Sequence, residues 1–423
     1  MRVIVVSYFY YPENTPRSFH AQGIVQGLLD QGHGVDLVIP RLENADLPHQ
    51  GDDRVQVHAV KAGYFFHRTK RVKDVETRVL IDYSLLRSVM KWGHHYFIWP
   101  DRTVEWAINA YRYIVAEGLA ARASAMVTNG LPLSPHVTGF LVKRKAPQLL
   151  WVADYSDPFS NNPHFENRFY DGPLERLMLS KVDRVVIPTE KATPCYVDLG
   201  VPAERVVVIP QLFAQPKDGA AAVTSAAVAE SAAGDSVVDD GSRHRYVVDS
   251  SKINLLYAGE LYADIRNPTE FVHGLVEAAK QFPQLCFHYF GNAGAMMDYI
   301  EGAGYAVDDV PIRVNHFRPR DEVLAVMKEM DLLVNLSNLS STQVPSKIID
   351  YLHACKPVLN VGPVIYDRFL NAPYERSVIA QVLMDFVELR LGGVFDFDYG
   401  DLKALYDFEA NAARYVQVIE GQL

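Results

Sequence analysis

The chain has 423 residues, nearly half of them apolar and 22% charged, with a net charge of −10. At roughly 100–200 residues per domain, that length holds two or three domains with sizeable cores. No apolar run reaches the roughly 20 residues that span a bilayer, the first seven residues lack the flanks of a secretory signal, and Cys195, Cys286 and Cys355 form neither a closed disulfide set nor a metal-ligand spacing. Collagens, disulfide scaffolds and integral membrane proteins are thereby excluded, and a reducing cytoplasm is expected.

In chain order, Val3–Val6 is a short β-branched run that predicts a buried strand. A Pro-containing loop, Tyr11-Pro-Glu-Asn-Thr-Pro-Arg17, leads into a helix with Ala21, Ile24, Val25 and Leu28 on one face and Gly32 just past its end. Val35–Ile39, Ala125–Thr128, Leu149–Ala153, Val185–Ile187 and Val206–Ile209 repeat the strand pattern, with amphipathic stretches between most of them. Continuous apolar strands separated by helices predict a parallel sheet covered on both faces. Residues 1–210 carry 24 Lys+Arg against 22 Asp+Glu, so the net negative charge lies in the remainder, and no nucleic-acid partner is expected. Within this half, residues 61–102 are basic and aromatic, with nine Lys+Arg, four acids and eight aromatics.

Residues 219–241 hold eight alanines and four acids, with no Lys, Arg or aromatic. This composition predicts a disordered insertion, with a nascent helix as the alternative. The alternation then restarts: strand Ile253–Tyr257, helix 268–281, strand Cys286–Tyr289, a helix near 294–302, strand Ile312–Val314, helix 321–329, strand Leu332–Asn335, helix 346–354 and strand Pro357–Val361. A last helix is predicted over 401–420. The fold class is α/β: two doubly wound, Rossmann-like parallel-sheet domains facing a cleft. The expected division is 1–212, a linker over 213–250, and 251–400.

Open parallel sheets bind ligands beyond the carboxyl ends of their strands. The polar residues there include Arg17, His136 and Asp157 in the first half, and Gly259, Arg266, Thr342, Pro345, Ser346, Lys347 and Asp350 in the second. Pro345 suits a first helical turn, and the N–H groups near 346–348 with Lys347 form a phosphate-attracting helix start. Asp350, one turn on, suits a ribose diol. A capped surface helix with a solvated Lys and Asp fits the same spacing. His136 beside a helix start reads equally as a cap, Arg17 as a solvated loop residue, and Asp157 as a turn former before Pro158. Asp396-Phe-Asp398 lies after the second sheet and reads as surface. His94-His95 has no further ligand at a suitable spacing, so no metal site is expected.

Gln343-Val-Pro-Ser-Lys-Ile-Ile-Asp-Tyr-Leu-His-Ala-Cys-Lys-Pro-Val-Leu359 resembles the nucleotide-sugar signature of GT-B glycosyltransferases of family 4, which often reads Pro-Ser-Lys, two apolar residues, Glu/Asp-Tyr, then Gly-Lys-Pro-Val. Tyr257-Ala-Gly-Glu-Leu-Tyr262 with Arg266 is similar to the family's glycine loop, and Val208-Ile-Pro-Gln211 to the turn closing its first domain. Tyr11-Pro-Glu-Asn-Thr-Pro-Arg-Ser-Phe19, Gly32-His-Gly-Val35 and Asp154-Tyr-Ser-Asp-Pro158 resemble the variant found in bacterial surface-polysaccharide enzymes. The resemblance covers nearly the whole chain outside 219–241, and the order of its motifs is specific. It implies transfer of a sugar from a nucleotide diphospho-sugar, UDP-linked, to a glycan or lipid-linked acceptor. Retention at the anomeric carbon and no metal or cofactor are implied with it. Arg266 and Lys347 would hold the diphosphate, Asp350 the ribose, and His136 would enter near the donor sugar. The first domain would take the acceptor and the last helix would cross back onto it. Two positions depart from the pattern: Thr342 replaces an acid that meets the donor sugar, and Glu260 replaces an Arg after the glycine. Both read as subgroup variation, with a changed donor or lost activity as the alternative. A non-hydrolysing nucleotide-sugar epimerase and a non-enzymatic partner subunit are the competing functions. The basic, aromatic segment 61–102 suits an anionic inner-membrane surface, which gives a peripheral location, with a partly buried loop subdomain as the alternative.

Overall fold

The computed structural model describes all residues except 43–45, 50, 64–97, 161–166, 214–245, 264–265, 338–344 and 394. The insertion over 219–241, Thr342, His94-His95 and most of the basic segment therefore lie outside the described residues. The chain divides into two units, Met1–Gln215 with Tyr406–Leu423, and Pro216–Leu405.

The first unit is built on a seven-stranded sheet. Its strands are β1 (Arg2–Ser7), β2 (Gly34–Pro40), β3 (Val55–Val60), β4 (Ala125–Asn129), β5 (Leu150–Asp154), β6 (Arg184–Ile187) and β7 (Val206–Val208). They lie in the order β3-β2-β1-β4-β5-β6-β7, every pair parallel. Helices α1 (Pro16–Asp30), α2 (Val104–Ala116), α3 (Leu119–Arg122), α4 (Ser134–Lys145), α5 (Asp171–Leu179) and α6 (Thr193–Asp198) connect them. The continuous apolar run of β1 has its reason here: Ile4 and Val6 enter the core on one face, Val3 and Val5 the core on the other. α1 starts where Thr15 accepts the Ser18 N–H at 3.3 Å with Pro16 in the first turn, and Gly32 follows its end at φ +79°.

The second unit carries β8 (Ile253–Ala258), β9 (Leu285–Gly291), β10 (Ile312–His316), β11 (Leu332–Leu336), β12 (Val358–Val361) and β13 (Leu370–Ala372), in the order β10-β9-β8-β11-β12-β13 and again all parallel. Helices α7 (Thr269–Gln281), α8 (Ala293–Gly302), α9 (Arg320–Met327), α10 (Lys347–Ala354), α11 (Arg376–Leu391) and α12 (Asp401–Leu405) cover it, and α13 (Phe408–Ile419) returns to the first unit. Two Rossmann-like parallel sheets in one chain form the GT-B fold.

Three differences from the sequence reading have local causes. β3 alternates Gln56 and His58 with valines at a sheet edge, so it carries no continuous apolar run. β13 has three residues, too few for a pattern. The helix expected over 401–420 is two helices, because Asp407 turns extended at φ −61°, ψ 123° and caps α13 by accepting the Ala410 N–H at 2.7 Å. The change of unit falls at that break, between Leu405 and Tyr406.

Both segments that join the first unit to the rest of the chain pass over α1. A Cβ at Gly23 would lie 2.1 Å from the Leu212 carbonyl oxygen, and one at Gly27 would lie 2.8 Å from the Ala412 Cβ. His20, between them in the fold, accepts the Leu212 N–H at Nδ1 (2.9 Å), so its Nε2 proton goes to Asp154 (2.9 Å), which also accepts the Tyr415 hydroxyl (2.8 Å). One buried His–Asp pair thus holds the end of the first crossing and the helix after the second. No helix among the described residues is long and apolar enough to cross a membrane.

Candidate functional site

Each unit gathers its predicted site residues at the carboxyl ends of its strands. In the second unit β8 ends in Ala258, and Gly259 follows at φ +140°, a backbone geometry that suits glycine. Two tyrosines fix that turn. Tyr257 donates its hydroxyl to the Glu260 carbonyl at 3.0 Å, and Tyr289 donates to the Gly259 carbonyl at 3.1 Å. Their rings stack with centroids 6.1 Å apart. A Cβ at Gly259 would fall 3.2 Å from Lys347 Nζ, so the glycine also makes room for the lysine.

Lys347 opens α10, and its ammonium stands 3.5 Å from the centroid of the Tyr257 ring. The nitrogen is sealed from solvent and has no hydrogen-bond partner among the described residues. Burial, and then the nearby Arg266 charge, push this group well below the usual lysine range. Arg266, half-buried, pairs its backbone with Tyr262 and acts on the Tyr257 phenol. Pro345 is buried and Ser346 half-buried at the mouth of the helix. The Ile348 N–H is taken by the Pro345 carbonyl at 3.0 Å, which removes it from the donor set expected over 346–348. Asp350 is nearly buried and bound by Arg320, the first residue of α9, with Nη2–Oδ1 at 2.5 Å and Nε–Oδ1 at 3.1 Å. Tyr351 ties α10 to β11 by donating to the Val334 carbonyl at 2.8 Å.

In the first unit His136 lies in the first turn of α4, fully buried. Its Nδ1 is 2.7 Å from the Thr128 hydroxyl, which accepts the Trp151 indole N–H at 2.9 Å. Nε2 has no partner, and a Cβ at Gly130 would lie 2.6 Å from it. Burial holds the imidazole neutral down to about 3, with Asp154 opposing that shift. Its ring lies 4.3 Å from that of Tyr155. Arg17, in the first turn of α1, sits 5.9 Å over the Phe9 ring, and Asp157 is half-buried in the loop after β5, where its charge acts on Tyr196. The structure thus brings Gly259, Arg266, Lys347 and the helix mouth together in one unit, and His136 and the Asp157 loop in the other.

Residues 18–211 match the profile of the glycosyl transferase 4-like domain. Among solved structures, sucrose-phosphate synthase from Thermosynechococcus elongatus is 13% identical with a TM-score of 0.63, covering 100% of this chain and 99% of its own. Anabaena Alr3699/HepE in complex with UDP and glucose is 13% identical with a TM-score of 0.53, covering 100% and 98%. WaaG, a glycosyltransferase involved in lipopolysaccharide biosynthesis, is 12% identical with a TM-score of 0.56, covering 99% and 100%. The fold and the matched domain are those of a glycosyltransferase. No curated protein sequence matches the chain.

Several residues that organise the two units carried no signal in the sequence. Arg320 lies 30 positions before its partner Asp350. Asp101 accepts the Ser134 N–H (3.0 Å) and hydroxyl (2.7 Å), capping α4 from 33 positions away. Asn335, Asn360 and Asn371 stand in register across β11, β12 and β13, Asn335 donating its amide N–H to Asn360 Oδ1 at 2.7 Å and Asn360 donating to Asn371 Oδ1 at 3.0 Å, beside Ser337, where the chain leaves β11. Each is a polar residue whose partner is remote in sequence, so no local spacing reveals it.

Proposed function

We propose that the chain transfers a sugar from a UDP-linked donor to a glycan or lipid-linked acceptor, with the second unit holding the nucleotide and the first the acceptor. The observation that carries this reading is the Lys347 ammonium. A buried cation without an acceptor is costly, and here it faces a glycine loop and a helix start, two features that bind phosphate. Lys347 and Arg266 hold the diphosphate and stabilise the charge that grows on it as the sugar leaves. Asp350, oriented by Arg320, takes the ribose hydroxyls. Thr342 meets the donor sugar, and Pro345 and Ser346 shape the mouth around the diphosphate.

His136, neutral to about pH 3, is too weak a base to take an acceptor proton. It serves as a hydrogen-bonding group, and the acceptor proton goes to the departing diphosphate, which agrees with retention and with cationic side chains in place of a metal. Arg17 and Asp157 contact the acceptor. A surface-polysaccharide acceptor and docking to an anionic bilayer complete the proposal. The exposed Phe169 ring, 93% accessible, supports the docking. It lies next to Arg168, which binds the Ile98 and Pro100 carbonyls at the end of the basic segment.

The test is a titration of nucleotides followed by UDP-sugars with and without acceptor. Saturable UDP binding, with product formed only when acceptor is present, is the expected outcome. Absence of UDP binding would overturn the reading, and epimerised donor without acceptor would replace it with isomerisation.

A further inference from the structure

One group of buried side chains around His136 is left unused by this chemistry. His136 Nε2, Tyr155 Oη, Ser156 Oγ, Ser160 Oγ, Glu175 Oε1 and Tyr196 Oη are all buried without a hydrogen-bond partner among the described residues, and they belong to one neighbourhood of the first unit. The Tyr155 ring stands between the His136 ring at 4.3 Å and the Tyr196 ring at 4.9 Å. Glu175, from α5, has no solvent exposure, and its Oε2 accepts the Ser160 N–H at 3.0 Å. The Tyr155 phenol also acts on it. Glu175 therefore binds the Ser160 end of the segment Tyr155–Ser160 and feels the Tyr155 phenol at its start; that segment carries Asp157 midway and covers one face of His136.

We propose that Glu175 is a positioning residue of the transfer site, holding the Tyr155–Ser160 loop through the Ser160 N–H and so fixing Asp157 and the covered face of His136. The inference rests on the reading of those two residues as acceptor-side groups. Burial pushes the Glu175 carboxyl above the ordinary range, so it keeps its proton to a higher pH than an exposed glutamate does. The surroundings agree on every side. From its own helix comes Asp171, already paired with Arg168 at 2.8 Å, and from the loop come the Ser160 N–H and the Tyr155 phenol. Around the neighbouring Tyr196 stand Asp157, Asp154 and, on α6, Cys195, so anions and neutral groups surround the cluster, and His136 on α4 is neutral. Because the native state holds a proton that the unfolded chain has already released, the tie weakens as pH rises from the ordinary carboxylate range to the raised value.

The experiment is hydrogen exchange of the peptide spanning 155–160, corrected for intrinsic rates, across pH 5–9 in the full chain. Wild type, Glu175→Gln and Glu175→Ala are compared, with UDP affinity and melting temperature measured alongside. Protection in the wild type should fall roughly tenfold or more with rising pH, Glu175→Gln should keep it at all pH, and Glu175→Ala should lose it throughout. Glu175→Ala should also lower sugar turnover while leaving UDP affinity, a property of the other unit, unchanged. A pH-independent wild type, a Glu175→Gln protein as unprotected as the alanine variant, or an alanine variant with full protection would each overturn the proposal. If Glu175→Ala does not fold, the wild-type and Glu175→Gln profiles decide alone. Loop protection needs no nucleotide, so a chain that shows it without binding UDP would sink the transfer reading and leave the tie standing.

Discussion

At the strand ends of the second unit stands a lysine ammonium with no acceptor, beside an arginine. At the strand ends of the first stands an imidazole that burial keeps neutral, backed by two tyrosines and a buried acid whose carboxyl is pushed up. The same topological position carries basic side chains in one sheet and an imidazole with phenols in the other. A diphosphate needs charge to hold it, whereas an acceptor hydroxyl needs aligned neutral donors and acceptors and gains nothing from a net field. The contrast supports a division of labour in which one unit binds the leaving group and the other orients the nucleophile.

The strongest way to break this comparison is to remove the cation. Lys347→Met should weaken UDP binding by about 1.5–3 kcal/mol, roughly ten- to a hundredfold in Kd by calorimetry, and Arg266→Ala should act in the same direction. Without nucleotide the Lys347→Met protein should melt higher than wild type, because an unpartnered buried polar group costs about 1–3 kcal/mol. Lower stability together with unchanged UDP affinity would place the anion site elsewhere.

Next in size is the proton linkage. Burial holds Lys347 well below its ordinary range in the free protein, and a diphosphate bound beside it would raise it again. Between the lowered and the ordinary value UDP binding takes up a proton, so affinity falls as pH rises, by at most about tenfold per pH unit. Calorimetry in two buffers of different ionisation enthalpy measures the uptake, and zero uptake in that window would contradict the assignment. In the same window the nucleotide-free protein gains stability with rising pH, since the unfolded chain keeps the proton that the native state lacks.

His136→Ala sharpens the comparison from the other side. It should reduce turnover while UDP affinity stays within about twofold. A loss of UDP binding equal to that of Lys347→Met would show that the two sites are not divided as described. The smallest effect concerns Cys355, which ends α10 in the left-handed region at φ 53°, where the related signature has glycine. Cys355→Gly should stabilise the chain by about 1 kcal/mol, read as a small rise in melting temperature, with UDP binding unchanged.

Much of this molecule was legible before the structure. Val3–Val6, Ile253–Tyr257 and Leu332–Asn335 announce themselves because a parallel strand covered on both faces needs an unbroken apolar run. Lys347 stood out because Pro345 marks a helix start, a local signal. The edge strand Val55–Val60 escaped, since one side of it faces no partner and tolerates Gln56. The break at Asp407 escaped because an N-cap inside a helical pattern shows only once the chain must change unit.

By itself the sequence determined two parallel-sheet units and the segments from which a phosphate-binding site is built, since strand period and helix caps depend on neighbours a few residues apart. Tertiary structure alone decided that Lys347 lacks an acceptor, that Asp350 is held by Arg320, that His136 is neutral and that Glu175 lies under the Asp157 loop. Burial and electrostatic environment come from atoms tens to hundreds of positions distant, and they set charge state without leaving any periodic trace along the chain.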